Sequence, residues 1–281
     1  MSTENAAPEY VVARRALLDM LELLEPQRGG LVLVGAQAVY LRAPAEDAQR
    51  ASYTTDGDLA IDPDLLSDNP DISKVLIDAG YGLGPNPGAF VAPNGVEIDL
   101  MVPEGALPAS TRRSAPLTGQ SRFTARRTPG LELAVIDADV LPITALDDAD
   151  DRSIDLRVAG PAALAVAKLI KLEERLSGPR PDRVISKDAS DLLRLFRYCD
   201  ARAIGRRLAE LSPVNTLADV ISRAVEFLRA DTSRTRSAVA ALAVDDRSPA
   251  ETERQVAAAV QELSRRLLSA FDEGGAPSSP A

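Results

Sequence analysis

The sequence predicts an α/β (α+β) chain: a mixed sheet with helices, followed by a helical C-terminal half. Three observations point there. A short apolar run, Leu31-Val32-Leu33-Val34-Gly35, turns straight into Ala36-Gln37-Ala38-Val39-Tyr40-Leu41-Arg42, which reads as a buried strand followed by a helix. Two later segments, around Asp56-Gly57-Asp58-Leu59 and Glu97-Ile98-Asp99-Leu100, carry acids at alternate positions, the period of a strand. Beyond Pro161, apolar residues recur at helical spacing through one segment after another.

Composition narrows the chemistry. The 281 residues exceed one ordinary domain, so one large or two modest domains are expected. The hydrophobic fraction of 45% supports a core, but aromatics are only 4% and Trp is absent, so Ala, Leu and Val must fill it. The chain has no histidine. Ser-His-Asp and Cys-His catalysis, His-ligated zinc and imidazole bases are thereby excluded. Any metal must be held by oxygen, which points to Mg²⁺ or Mn²⁺. The single cysteine, Cys199, allows no intramolecular disulfide and fits a reducing cytoplasm. A net charge of −10 argues against an all-round basic nucleic-acid binder and leaves a local patch open. The first fifteen residues lack a signal peptide's apolar stretch, and no apolar run approaches membrane-spanning length. A soluble, cytoplasmic protein without a membrane partner is expected.

Taken in order, residues 1–29 form an N-terminal helix region: a disordered start to residue 7, then a helix from Pro8 with Val11, Leu17, Leu18, Leu21 and Leu24 on its apolar face. Residues 30–160 read as the α/β domain. After the strand and helix at 31–42 comes a loop, 43–52, and then the strand with Asp56 and Asp58. Residues 69–84 predict a helix with Gly80 near its C-terminus. Residues 89–103 predict a hairpin around Pro93-Asn94-Gly95. Residues 104–130, rich in Pro, Ser, Thr and Gly, read as a loop, and 131–143 and 153–160 as two further strands. Residues 161–273 read as a helical domain opened by Pro161 at a first helical position. Its helices are expected at 161–176, 187–198, 202–211, 216–230, 233–243 and 249–271, with a loop at 177–186 and a disordered tail at 274–281. No internal repeat is present.

On a strand, Asp56 and Asp58 share one face, where two like charges repel unless something positive offsets them. Glu97 and Asp99 share a face of another strand. If these strands are neighbours, the carboxylates converge on a patch that one or two divalent cations would turn into a site. Mg²⁺ takes few carboxylates and fills its octahedron with water and substrate phosphates. Gly35, at the start of a helix, would expose backbone N–H groups suited to phosphate. Lys168 lies among Val166, Leu169 and Leu172, an expensive place for an ammonium unless it reaches an anion or snorkels to solvent. The 104–130 segment sets Arg112, Arg113, Arg122, Arg126 and Arg127 against the single acid Glu104. With Phe123, those arginines suit RNA phosphates and an exposed base, an acidic protein partner, or merely a solvated loop. Arg202, Arg206 and Arg207 form a second basic cluster, equally open in meaning.

In this order, Gly35-Ala36-Gln37-Ala38-Val39, Thr55-Asp56-Gly57-Asp58 and Ile98-Asp99-Leu100 resemble the nucleotidyltransferase superfamily, with its Gly-Gly/Ser and Asp-x-Asp signature. Lys168, Leu169, Leu172 and Arg175, followed by Lys187, Asp188, Asp191 and Leu192, resemble the AbiEii/MenT-like branch, nucleotidyltransferase toxins of type IV toxin–antitoxin systems. The resemblance spans roughly residues 30–200 and implies a nucleotidyltransferase-fold sheet. It implies that Asp56, Asp58 and Asp99 hold Mg²⁺ (or Mn²⁺), with Asp99 on the ion that activates the acceptor hydroxyl. Gly35, Ala36 and Thr55 would meet the nucleotide, Lys168 and Arg175 its triphosphate, and Asp188 and Asp191 would orient base, ribose or lysine. The sequence departs from the signature at Ala36, which lacks the second Gly or Ser, and at Gly57, where an apolar residue would pack behind the metal strand. What the resemblance implies is transfer of a nucleoside monophosphate from an NTP to a tRNA-like RNA or a protein acceptor, restrained by a cognate antitoxin. The alternatives are a metal-dependent nuclease and a catalytically silent nucleotidyltransferase-fold binding module.

Overall fold

The computed structural model of the chain describes residues 7–44, 54–110, 112–179 and 186–275. The expected disordered start, the loop leading into Asp56, most of the 177–186 loop and the end of the tail lie outside these residues. Among the described residues, the chain is a mixed α/β structure with an open sheet and a helical C-terminal half. It divides into two compact units, Met1–Gly160 and Pro161–Ala281.

In the first unit, α1 (Pro8–Leu23) starts with proline at its first turn and buries Tyr10, Ala13, Arg14, Leu17, Leu18 and Leu21, one helical stripe. A turn of 3-10 helix, Glu25–Gly30, leads into β1 (Leu31–Val34), which turns directly into α2 (Gly35–Arg42). Then follow β2 (Asp56–Ile61), α3 (Ile72–Asp78), β3 (Gly82–Leu83), β4 (Ala89–Val91), β5 (Glu97–Pro103), β6 (Arg126–Thr128), β7 (Ala138–Thr144) and β8 (Ser153–Ala159). The sheet runs β3-β4-β5-β2-β1-β8-β7, with β6 beside β5. β1 is antiparallel to β2 and parallel to β8, while β2 and β5 run parallel. Leu31, Leu33, Leu59, Ile61, Ile98 and Leu100 share one sheet face by register, and all are fully buried. Each such side chain contributes about 1.5–3 kcal/mol on leaving water.

Several expectations need correction. The helix expected over 69–84 covers only Ile72–Asp78, and Gly82–Leu83 instead pairs antiparallel with β4. Residues 131–137 are consecutive turns rather than strand: Ala134 N–H donates to Leu131 O (2.9 Å) and Asp137 N–H to Leu133 O (2.7 Å). Local bonds satisfy that backbone, and the strand begins only at Ala138. The 104–130 segment is not all loop, because Arg126–Thr128 forms β6. β4 pairs with β5 only at Glu97–Asp99, so the same edge is open from Met101 onward, and β6 takes it.

The second unit contains α4 (Pro161–Ser177), α5 (Ser186–Tyr198), α6 (Ala201–Leu211), α7 (Asn215–Thr232), α8 (Ala238–Asp245) and α9 (Glu253–Gly275). The last two begin later than the apolar pattern suggests. Ser237 caps α8 by accepting from Ala240 N–H (2.9 Å), and Thr252 exchanges bonds with Gln255 ahead of α9, a reciprocal Thr-x-x-Gln capping box. Among the described residues, no helix is long and apolar enough to cross a membrane.

Candidate functional site

The acids of the two strands meet in register. β2 and β5 place Asp56 opposite Glu97 and Asp58 opposite Asp99. Residues paired directly across a ladder point to the same face, so all four carboxylates emerge on one side of the sheet. Gly57, Leu59, Ile98 and Leu100 take the other side and are buried. Period-two patterning thus produces an acidic face and an apolar face from the same two strands.

Gly35 fixes one wall. It joins β1 to α2 at φ 67°, in the left-handed region where glycine alone is unstrained. A Cβ there would stand 2.0 Å from Asp58 Oδ2. The Asp58 carboxylate therefore lies directly against the first residue of α2, where the first N–H groups of a helix have no partner within it. Ala36 follows, almost wholly buried. Thr55 sits exposed at the bend before β2, and the Thr54 hydroxyl hydrogen-bonds the Asp56 carboxylate.

Behind the strand runs a buried polar relay. Gln37 donates to Asp56 O (3.0 Å) and accepts from Arg14 Nε (2.9 Å). Arg14, 1% exposed, also donates to Thr144 O and to the Tyr10 hydroxyl. Burial pushes the Arg14 guanidinium below its ordinary value, only partly offset by Tyr10. Gly57 leaves room on this side: a Cβ there would meet Ile98 at 3.5 Å and Gln37 at 3.9 Å, ordinary contacts. Its lack of a side chain is thus a local loosening, with no steric requirement behind it.

The positive charge that the paired aspartates call for is Arg126. From β6, it grips Asp99 with both ends of its fork, Nη1 to Oδ1 at 2.6 Å and Nη2 to Oδ2 at 2.7 Å. This bidentate geometry is the strongest form of a carboxylate–guanidinium pair. Burial alone would lower the Arg126 guanidinium, but the Asp99 hydrogen bonds and the charges of Asp99 and Asp58 hold it above its ordinary value. Gly88, at φ 80°, makes the arrangement possible, since a Cβ there would strike Leu100 O at 2.1 Å and Arg126 N at 2.9 Å. Sequence reasoning took Arg126 as one of five loop arginines and passed over Gly88. The Pro87-Gly88 pair is a turn signal, but nothing local to it shows which strands it lets approach.

The remaining candidates lie in the second unit. Lys168 of α4 is buried and donates to Asp188 Oδ1 (2.9 Å) and Asp191 Oδ2 (2.6 Å) of α5. Arg175 reaches Asp188 Oδ2 (2.6 Å), and Lys171 lies 3.1 Å from Asp188 Oδ1. The anion that Lys168 requires is thus supplied by its own helical unit. Burial pushes the ammonium down, yet Asp191 and Asp188 hold it well above its ordinary value. Burial likewise pushes Asp188 up, and Lys168, Lys171 and Arg175 outweigh it and hold the carboxyl far below the usual range. Arg112, Arg113 and Arg122 are exposed, with Arg122 stacked 4.7 Å from the Phe123 ring centroid.

For an oxygen-loving divalent cation, the donor types fit: Asp56, Asp58 and Asp99 are hard carboxylates on one face. Among the described residues, no group of three or more acids gathers closely enough to hold an ion as it stands. Asp56, Asp58, Glu97 and Asp99 thus share this face, and Arg126 clasps Asp99. Comparison of the chain with protein-family models, with curated proteins and with solved structures gives no match.

Proposed function

We propose that this chain is a cytoplasmic, Mg²⁺-dependent nucleotidyltransferase that moves a nucleoside monophosphate from an NTP onto an RNA or protein hydroxyl. The observation that carries this reading is the register of Asp58 with Asp99, beside a left-handed Gly35 that opens α2 against the Asp58 carboxylate. Carboxylates for a cation and a helix N-terminus suited to phosphate thus stand side by side. Asp56 and Asp58 would hold the cation with the triphosphate, and Asp99 would join them on the acceptor side. Bound Mg²⁺ would supply Lewis-acid activation of the acceptor hydroxyl and charge stabilisation at the leaving phosphate. Gly35 and the amides after it orient the triphosphate. The acceptor oxygen bonds to the α-phosphorus, pyrophosphate leaves with the electrons of the broken P–O bond, and the hydroxyl proton passes to water.

Lys168, Asp188, Asp191 and Arg175 enter this reading as a framework that rigidifies α4 and α5. The AbiEii/MenT-like resemblance extends the proposal to a toxin with a tRNA-like acceptor, reached by Arg112, Arg113 and Arg122, and a cognate antitoxin.

A label-transfer assay with each of the four α-labelled NTPs, total RNA and Mg²⁺ or Mn²⁺ tests the reading. Wild type should label RNA or protein. Asp99→Ala should lose at least about 10²-fold in transfer while keeping most nucleotide affinity, as when an interaction made mainly in the transition state is removed. No labelling by wild type with any NTP overturns the proposal. One observation favours a second reading, a catalytically silent binding module: Arg126 already neutralises Asp99 without any metal.

A further inference from the structure

We propose that the cavity between the end of α1, the residues after α3 and the β4–β5 turn binds a primary alkylammonium, its charge held by Asp19, Glu22 and the Tyr81 hydroxyl. The inference goes beyond the transferase reading and uses none of its residues. The cavity is open and measures about 490 Å³, within the range of small-ligand sites. Asp19, Glu22 and Leu23 enter it from one face of α1, as residues three and four apart on a helix do. Ala92 and Pro93 line it from the turn between β4 and β5. Local structure delivers Tyr81. Gly80, at φ 88°, ends α3 in a left-handed turn: Gly80 N–H donates to Ile77 O (2.9 Å) and Tyr81 N–H to Leu76 O (2.9 Å). That reversal sets Tyr81 into the cavity wall.

Two independent observations call for a ligand. Tyr81 is 5% exposed, yet its hydroxyl has no hydrogen-bond partner among the described residues. A buried tyrosine hydroxyl ordinarily has one. This oxygen is not sealed in, so an incoming group can reach it. The second observation is the unequal pairing of the acids. Arg152 gives Nε and Nη2 to Asp150, and its Nη1 alone serves both Asp19 (2.7 Å) and Glu22 (3.2 Å). Asp19 Oδ2 and Glu22 Oε1 accept no hydrogen bond among the described residues. The carboxylates select a cation over an anion, and Leu23, Ala92 and Pro93 suit an apolar chain behind it. Burial and the charge of Asp19 push the Tyr81 phenol up to about 12, so at neutral pH it is a hydroxyl whose lone pairs can accept an N–H. The two carboxylate oxygens and the phenol oxygen match in number the three N–H donors of a primary ammonium.

The test needs no enzymatic activity. Amide shifts of Gly80, Tyr81 and Ala92 in ¹H–¹⁵N spectra of the full chain would follow titration with n-pentylammonium chloride at neutral pH and fixed ionic strength. Saturable shifts are expected with n-pentylammonium and none with n-pentanol or pentanoate. The n-pentyltrimethylammonium ion, which has no N–H to donate, should bind at least about threefold more weakly. Tyr81→Phe should weaken n-pentylammonium binding about threefold, and Asp19→Asn combined with Glu22→Gln about tenfold. N-acetyl-lysine methylamide separates the two sources of such a group: affinity equal to n-pentylammonium supports a lysine side chain as the ligand, weaker affinity a free amine. Absence of a saturable shift with n-pentylammonium overturns the proposal, as does equal binding of n-pentanol. Equal binding of the trimethylated ion overturns it in wild type, whatever the variants do. Unchanged affinity in Tyr81→Phe and in the double variant places the amine elsewhere and overturns it too.

Discussion

At Gly35, one hydrogen atom in place of a methyl decides whether Asp58 can occupy its position. Gly35→Ala adds a side chain 2.0 Å from Asp58 Oδ2 at a backbone conformation that alanine resists. It should destabilise the chain by about 1–3 kcal/mol in denaturant unfolding and weaken Mn²⁺ binding through the displaced carboxylate. Gly57→Ala, between Asp56 and Asp58 on the strand, meets only ordinary contacts, so it should be neutral or stabilise by up to about 1 kcal/mol. If the two variants prove equally damaging, Gly35 has no special role. The order of chemistry along the strand, acid-glycine-acid, is readable in the sequence. Which of the two glycines is sterically required is not, because the answer depends on Asp58 meeting a residue twenty-three positions away.

At the scale of elements, the clearest unit is the α4–α5 pair tied by Lys168. Lys168→Met leaves Asp191 without the ammonium and Asp188 with Lys171 and Arg175 alone. Removing one partner of a buried ion pair should cost about 3–5 kcal/mol, measured as a shift in denaturant midpoint and as faster hydrogen exchange in α4 and α5. The sign of the pH dependence follows from the directions of the shifts. Asp188 is depressed when folded, so its contribution is complete above the unfolded carboxyl value of about 4 and is lost as pH falls below it. Lys168 is raised, so its contribution persists at neutral pH and is lost only on strongly alkaline titration. Unfolding midpoints of wild type and Asp188→Asn should therefore converge as pH drops below about 4; parallel curves would refute the assignment. The helices themselves were legible from apolar spacing, and the Lys168 paradox was legible as a demand for an anion. That the anion comes from Asp188 and Asp191 depends on two helices meeting side by side, which spacing within either one does not specify.

At the scale of the whole molecule, a net charge of −10 sets how any RNA acceptor could be held. Long-range attraction is absent, so binding would rest on a local group such as Arg112, Arg113 and Arg122. Single-stranded RNA binding should then weaken with salt at a logarithmic slope of only about −2, and replacing the three by alanine should remove most of that slope. A slope several times steeper would place the RNA on other residues.

The sequence by itself determined the mixed α/β class with its helical second half, the oxygen-only donor set that follows from having no histidine, and the shared face of Asp56 and Asp58. These are local properties, fixed by periodicity and composition. Only the tertiary structure decided that β2 lies beside β5 with Asp58 opposite Asp99, and that Arg126 leaves the expected loop to clasp Asp99. Strand pairing and ion pairing are set by long-range register. Twenty-seven residues separate Arg126 from its carboxylate, and no pattern along the chain carries the distance between them.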